Sequence, residues 1–150
     1  MSRDDHLSTD KLLEMLFKSG NLNIIVEENE SNFVLPSFSE YITALSKARD
    51  EVPERIIARA NIEKAYGHKI FSGARNPSRD TVIQLAFGFE ADVDQTQELL
   101  KIARKSVLYP RIKRDAAIIY CLHKHFSIVE VQIVLDDLGL PILGEGNRNE

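Results

Sequence analysis

The chain has 150 residues, of which 43% are hydrophobic and 28% charged, and its formal net charge at pH 7 is −4. This size and composition fit one soluble domain, or a small domain with an appendage. No apolar run approaches the roughly 20 residues of a membrane-spanning helix, and the acidic start MSRDDH is not a signal peptide, so we expect a cytoplasmic protein without a membrane partner.

Apolar residues at helical spacing predict helices along most of the chain. Ser8-Thr9-Asp10 offers capping side chains for the first, KLLEMLFKSG, whereas the run NLNIIVEENES that follows fits either a short strand or an irregular apolar segment. Further helices are expected from Phe38, from Pro53 and from Ile62. Ser78 begins the next one, and three more cover DQTQELLKIARKSVL, RDAAIIYCLHKH and IVEVQIVLDDLG.

Two of these helices begin with the dipeptide Arg-Asp, at 79–80 and at 114–115. We interpret both acids as partners of the helix dipole and expect no internal repeat. The helix RDAAIIYCLHKH is apolar around most of its circumference, which predicts that it is the most buried element and that Cys121 is a core side chain. Together these elements predict an all-α fold.

The charge is distributed unevenly along the chain. Residues 1–46 have three basic and eight acidic side chains, whereas residues 47–79 have eight basic and four acidic ones. A basic segment in an acidic chain is typical either of a surface that faces an anion or of an ordinary solvated face.

The segment 53–80 has the dimensions of a helix-turn-helix. A short helix from Pro53 is followed by a turn at Asn61 and a second helix over Ile62–Gly73. The major groove of DNA, about 12 Å wide, admits one α-helix. We expect Tyr66 and Ile70 to face inward with Ile62, and the short polar or basic side chains of this helix to face outward.

Residues 38–105 resemble the XRE family of λ-repressor-like, five-helix DNA-binding domains. The resemblance rests on Gly73, Arg75, Asn76-Pro77-Ser78 and the pair Leu85-Ala86. The strings IFSGARNPSRDTVIQLAF, LLKIARKSVLYP and RDAAIIY are similar to a group of such regulators from Firmicutes, which extends the resemblance over most of the chain. It implies a sequence-specific transcriptional regulator, usually dimeric, that binds double-stranded DNA.

With this resemblance the chain divides into four predicted parts. Residues 1–37 form an N-terminal helical arm, and 38–105 form the helix-turn-helix domain. Residues 106–144 form a C-terminal two-helix extension packed on that domain, and 145–150 a frayed tail. The extension either covers the back of the domain or makes a homodimer through its helices.

The predicted DNA contacts lie on the second helix of the pair and around it. Basic residues outside that helix are expected to bind phosphates, and its outer face to approach bases, with Glu63 able to accept from a cytosine amino group. The residues are Arg55, Arg59, Glu63, Lys64, Ala65, His68, Lys69, Ser72, Arg75 and Arg79.

Two positions depart from the family pattern. A slot that is usually a small alanine falls on Ile57, and a slot that is usually aliphatic falls on Gly67. Either the two helices cross at an altered angle, or the register of the comparison is shifted by one residue. A glycine inside a helix costs about 1 kcal/mol relative to alanine, so Tyr66 is expected to take part of the packing.

A second basic run extends from Lys101 to Arg114 with no acid in between. It fits a wider DNA footprint, an acidic partner or plain surface, and we assign no site to it. His123 and His125 point to different sides of a helix, and no phosphate loop or nucleophile elbow is present, so we expect no metal, no cofactor, no catalytic residue and no enzyme. No effector pocket can be inferred.

The rival interpretation is a protein-interaction module that keeps the helix-turn-helix fold without binding DNA. The pI of about 5.6, the two departures and the acidic arm all fit this interpretation. A continuous positive stripe along the second helix of the pair favours DNA, whereas a broken stripe with an apolar patch favours a protein partner.

Overall fold

Helices make up the fold. The computed structural model describes residues 8–33 and 35–144, and these contain nine α-helices, one short 3-10 helix and no strand. The all-α prediction is therefore confirmed, whereas the prediction of a frayed tail over 145–150 falls outside the described residues. No described helix has both the length and the apolar character that crossing a bilayer requires. The helices are α1 (Thr9–Lys18), α2 (Leu22–Glu28), α3 (Phe38–Ala48), α4 (Pro53–Arg59), α5 (Lys64–Ser72), α6 (Arg79–Gly88), α7 (Val93–Ile102), α8 (Lys113–His123) and α9 (Ile128–Asp137), with the 3-10 helix over Glu30–Phe33.

The chain divides into an N-terminal unit, residues 1–36, and a C-terminal unit, residues 37–150. In the N-terminal unit the side chain of Ser8, one of three candidate capping residues, accepts a hydrogen bond from the Lys11 amide (3.2 Å) and caps α1. Asn21 does the same for α2 through the Ile24 amide, also at 3.2 Å. The run that fitted either a strand or an irregular segment is therefore helical, because an asparagine precedes it in capping position.

In the C-terminal unit the helix boundaries follow local chemistry. Ser37 and Glu40 form a capping box at the start of α3, and Pro53 is in the first turn of α4. Asn61 adopts a left-handed conformation (φ 56°) between α4 and α5, and Gly73 does so after α5 (φ 87°). The second helix of the pair is shorter than expected: it begins at Lys64, with Glu63 as its N-cap, and not at Ile62.

The crossing of α4 and α5 brings Ile57 and Gly67 into contact. A Cβ atom on Gly67 would lie only 2.6 to 2.9 Å from three side-chain carbons of Ile57. Both residues are buried, so the Ile57 side chain fills the space above the glycine. The small residue of this contact lies on α5 and the large one on α4.

The most buried element is α6, not α8. Every residue of α6 from Thr81 to Gly88 is buried, whereas α8 exposes Tyr120 at 54%. The expectation for α8 was wrong because α6 is packed between α4, α7 and α9, while α8 packs mainly against α7 and α9. A Cβ on Gly88 would lie 2.5 Å from the Ile56 carbonyl oxygen, so this glycine permits the close approach of α4.

The hairpins α6–α7 and α8–α9 share one hydrogen-bonding scheme. In the first, the Gln97 side chain donates to the Leu108 carbonyl (2.9 Å) and accepts from the Leu108 amide (2.8 Å). In the second, Gln132 makes the same two bonds with Leu143, at 2.9 and 2.7 Å. Each glutamine therefore holds the chain that follows its hairpin.

The two Arg-Asp dipeptides occupy equivalent places in these hairpins and pair crosswise. Arg79 forms a bidentate pair with Asp115 (2.9 and 3.2 Å), and Arg114 forms one with Asp80 (2.9 and 3.0 Å). Equivalent positions keep a constant interval, as 79 and 114, 80 and 115, 97 and 132, and 108 and 143 show. The expectation of no internal repeat is thus corrected: the fold repeats a hairpin, and residues 35 positions apart are identical at these three polar pairs and at three apolar pairs, Ile83 and Ile118, Leu100 and Leu135, and Leu108 and Leu143.

Candidate functional site

One side of α5 is exposed, and it carries the side chains that were predicted from the sequence to face outward. The opposite side is buried through Gly67, Ile70 and Phe71. His68 is half-buried and the other residues of the outer side are exposed. Their spacing of one, three and four residues follows the helical period, so they form one continuous face: Lys64, Ala65, His68, Lys69 and Ser72.

Glu63, predicted as a DNA contact, caps α5. Its two carboxylate oxygens accept hydrogen bonds from the amides of Tyr66 (2.9 Å) and Ala65 (3.1 Å). These bonds lower the pKa of the Glu63 carboxyl from its ordinary value. These amides at the start of α5 are therefore already bonded to a carboxylate. The N-terminus of α5 does not offer a site for an external anion.

Arg59, predicted to bind phosphate, is held inside the C-terminal unit. Its Nε donates to the Gly88 carbonyl (2.9 Å) and an Nη atom donates to the Glu51 carboxylate (2.6 Å). The hydrogen bond raises the pKa of Arg59 and lowers that of Glu51. This guanidinium links α4 to the end of α6 and to the segment before α4.

Arg79 is engaged still more fully. Besides its pair with Asp115, which is only 1% exposed, it donates from Nε to the Ser106 carbonyl (2.9 Å) and from Nη2 to the Val107 carbonyl (3.0 Å). The first residue of α6 thereby fixes the segment between α7 and α8.

The cations that stay free are fewer than the sequence suggested. Arg55 on α4 and Arg75 after α5 are exposed, as are Lys64 and Lys69 on α5. Among the described residues none of the four takes part in an ion pair. They are therefore available to an external anion, whereas Arg59 and Arg79 are not.

A cleft of about 930 Å³ runs beside α5. Four predicted site residues line it: Glu63, Ala65, Lys69 and Arg75. The opposite wall, formed by Gln132 and residues 142–144, was missed by sequence reasoning. The equivalence of Gln97 and Gln132 could have indicated this wall. Each of these glutamines hydrogen-bonds the backbone of the segment that follows its hairpin, which places that segment against the helices.

The described residues contain no group of three or more His, Cys, Asp or Glu side chains that is arranged to hold a metal ion. Cys121 is buried, and burial raises the pKa of its thiol, with Glu130 adding to the effect. A thiol in that state is a packing group and a poor nucleophile.

The geometry thus offers one exposed helix face flanked by free cations, and a cleft along its side. Comparisons of the chain with protein-family models, with curated proteins and with solved structures found no match.

Proposed function

We propose that the C-terminal unit is a λ-repressor-like helix-turn-helix domain that binds specific DNA sequences in transcriptional control, as the resemblance to the XRE family implies. Helices α4 and α5 are its helix-turn-helix pair, and α5 enters the major groove. The observation that carries this proposal is the exposed face of α5. It presents Lys64, His68 and Lys69, and α5 itself contains no carboxylate.

Cations without an internal partner among the described residues contact DNA, whereas cations held by internal hydrogen bonds support the binding surface. Lys64, His68 and Lys69 approach base edges, and the exposed methyl group of Ala65 suits contact with a thymine methyl. Arg55 and Arg75 bind phosphates on either side. Arg59 and Arg79 support the binding surface through their internal hydrogen bonds.

The test is fluorescence anisotropy of the full-length protein with genomic DNA fragments that include its own promoter, over a salt series. We expect one fragment to bind best, and log K to fall with log salt with a slope of about −2 to −4, since each neutralised phosphate contributes about 0.9. Absence of binding at low salt would reject the proposal.

A paired variant tests the assignment of α5. We expect Lys64→Ala with His68→Ala to weaken binding to the preferred fragment at least about tenfold, because one good base contact contributes about 1 to 3 kcal/mol. Lys124→Ala, at the far end of α8, is the matched control and should bind as the wild type does. Equal affinity of all three proteins would remove α5 from the interface.

A second candidate function is protein binding through α9 with no DNA bound. Val129 and Ile133 lie one turn apart on α9 and are 62% and 55% exposed, so they form a small apolar patch on the surface of this helix. The simplest partner is a second copy of this chain, bound through the C-terminal helices as a homodimer. Sedimentation should show a dimer that Ile133→Glu converts to a monomer; a monomeric wild type at high concentration would argue against the dimer.

A further inference from the structure

We propose that the segment joining α7 and α8 is a second DNA-contacting surface, which binds phosphates next to those bound around α5. We call it the basic loop, residues 104–113, and its cations are Arg104, Lys105, Arg111 and Lys113. This inference rests on the proposed DNA binding and adds to it a wider footprint.

The four cations of the basic loop are free. All are exposed, and among the described residues none forms an ion pair. The sequence contains no acid from Lys101 through Arg114. Arg114 differs from them, since its guanidinium is held by Asp80 and by the carbonyls of Pro141 and Ile142. The structure therefore separates cations that serve the fold from cations left for an anionic partner.

The position of the loop points to DNA. Arg79 is the first residue of α6, seven residues beyond Ser72, where α5 ends. Its side chain donates to the carbonyls of Ser106 and Val107 at 2.9 and 3.0 Å. The centre of the basic loop therefore lies within one arginine side chain of the start of α6, beside the turn that carries Arg75.

The centre of the loop is also fixed from its other side. The buried Asp115 carboxylate accepts from the Tyr109 amide (2.9 Å), and Gln97 holds both the amide and the carbonyl of Leu108. A loop that is ordered before binding loses less conformational entropy when it meets the phosphates. Arg79 thus contributes to DNA binding indirectly, because its hydrogen bonds fix the position of this loop, and the loop supplies the phosphate contacts.

The test compares two lysines on the same helix. Lys113 begins α8 in the basic loop, and Lys124 follows its last residue, about 16 Å away at 1.5 Å per residue. Both are exposed. We would measure the salt slope of full-length wild type, Lys113→Gln and Lys124→Gln on the preferred fragment and on the same site trimmed to about 12 base pairs.

On the full fragment we expect Lys113→Gln to reduce the slope by about 0.9, and Lys105→Gln with Lys113→Gln to reduce it by about 1.8 with roughly tenfold weaker binding at low salt. On the trimmed site these variants should bind as the wild type does, because the flanking phosphates are gone. Lys124→Gln should match the wild type on both duplexes. Circular dichroism melting of each variant excludes loss of fold as the cause.

The outcomes separate the two proposals. In one outcome the wild type binds the full fragment and every variant has the same salt slope as the wild type. The basic loop then makes no DNA contact, while the role of α5 stands. If the wild type binds no DNA at low salt, DNA binding itself is rejected. An affinity of the loop for an acidic protein, with unchanged DNA slopes, likewise overturns the inference.

Discussion

Position 67 shows how a single residue sets the geometry of the candidate site. Glycine inside a helix costs about 1 kcal/mol of stability relative to alanine. At this position it leaves room for Ile57, whose side chain fills the space that a Cβ atom would need. The packing of α4 on α5, and with it the angle at which the outer face of α5 is presented, depends on this contact of a small and a large residue.

The first prediction concerns Gly67→Ala. The added methyl group overlaps with Ile57, and overpacking of this kind typically costs 1 to 3 kcal/mol, which exceeds the gain of about 1 kcal/mol in helix propensity. We expect a net loss of about 1 kcal/mol in the free energy of unfolding, measured by urea denaturation.

The control for this prediction is the same substitution in an Ile57→Ala background. There the obstructing side chain is absent, so Gly67→Ala should stabilise that variant by about 1 kcal/mol through helix propensity alone. A methyl group at 67 that stabilises the wild type as well would show that Ile57 does not restrict this position.

At the scale of elements, the crossed ion pairs join the starts of α6 and α8. Asp80 receives two hydrogen bonds from Arg114 and one from the Gly144 amide at 3.0 Å. Burial of the Asp80 carboxyl acts to raise its pKa, but these hydrogen bonds and the charge of Arg114 outweigh it, so the pKa is lowered from its ordinary value.

The second prediction is a dependence on pH. A carboxyl whose pKa is lower in the folded state stabilises the fold fully above its ordinary pKa of about 3.9, and this contribution is lost as pH falls through the folded-state value. Asp80→Asn should therefore lower the free energy of unfolding by about 1 to 3 kcal/mol at pH 7, and less in acid. Urea denaturation at neutral and acidic pH measures both.

Asp94→Asn is the matched control for this effect, since Asp94 is an exposed carboxylate near the start of the neighbouring helix α7. It should change the stability at neutral pH by less than about 0.5 kcal/mol. A loss for Asp80→Asn that is the same at neutral and acidic pH would mean that the ion pair with Arg114 contributes nothing as a charge pair.

At the scale of the whole molecule, the hydrophobic core belongs to the C-terminal unit. Its buried members all lie between Phe38 and Leu143. In the N-terminal unit α1 has no buried residue, and Phe17 is 81% exposed. The two units therefore differ sharply in how much apolar surface each removes from water.

The third prediction is that residues 37–150 fold without the N-terminal unit. The buried cluster from Phe38 to Leu143 is retained and Ile25 of α2 is lost. The melting temperature of this fragment, followed by circular dichroism, should therefore lie within about 3 °C of that of the full chain. Its affinity for the preferred DNA fragment should also be retained. A fragment that melts far lower, or not cooperatively, would show that residues 1–36 contribute to the core's stability.

The sequence by itself determined most of the helices of this protein and the outer face of α5, while it left the segment of α2 open. Helical periodicity, Ser8, Ser78, Pro53, Asn61 and Gly73 are local signals, because capping, turn formation and burial of one face act over a few neighbouring residues. For the same reason the charge-rich segment and the exposed side of α5 were visible without coordinates.

Only the tertiary structure decided which charges are free. Arg59 and Arg79 have the same sequence character as Arg55 and Arg75, yet Arg79 reaches Asp115, and Arg59 reaches the Gly88 carbonyl beside its nearer partner Glu51, only when distant helices pack. The burial of α6 was missed for the same reason, whereas the hairpin repeat is present in the sequence as identical residues 35 positions apart. Hydrogen bonds and ion pairs across long sequence separations depend on packing geometry, which no local pattern encodes.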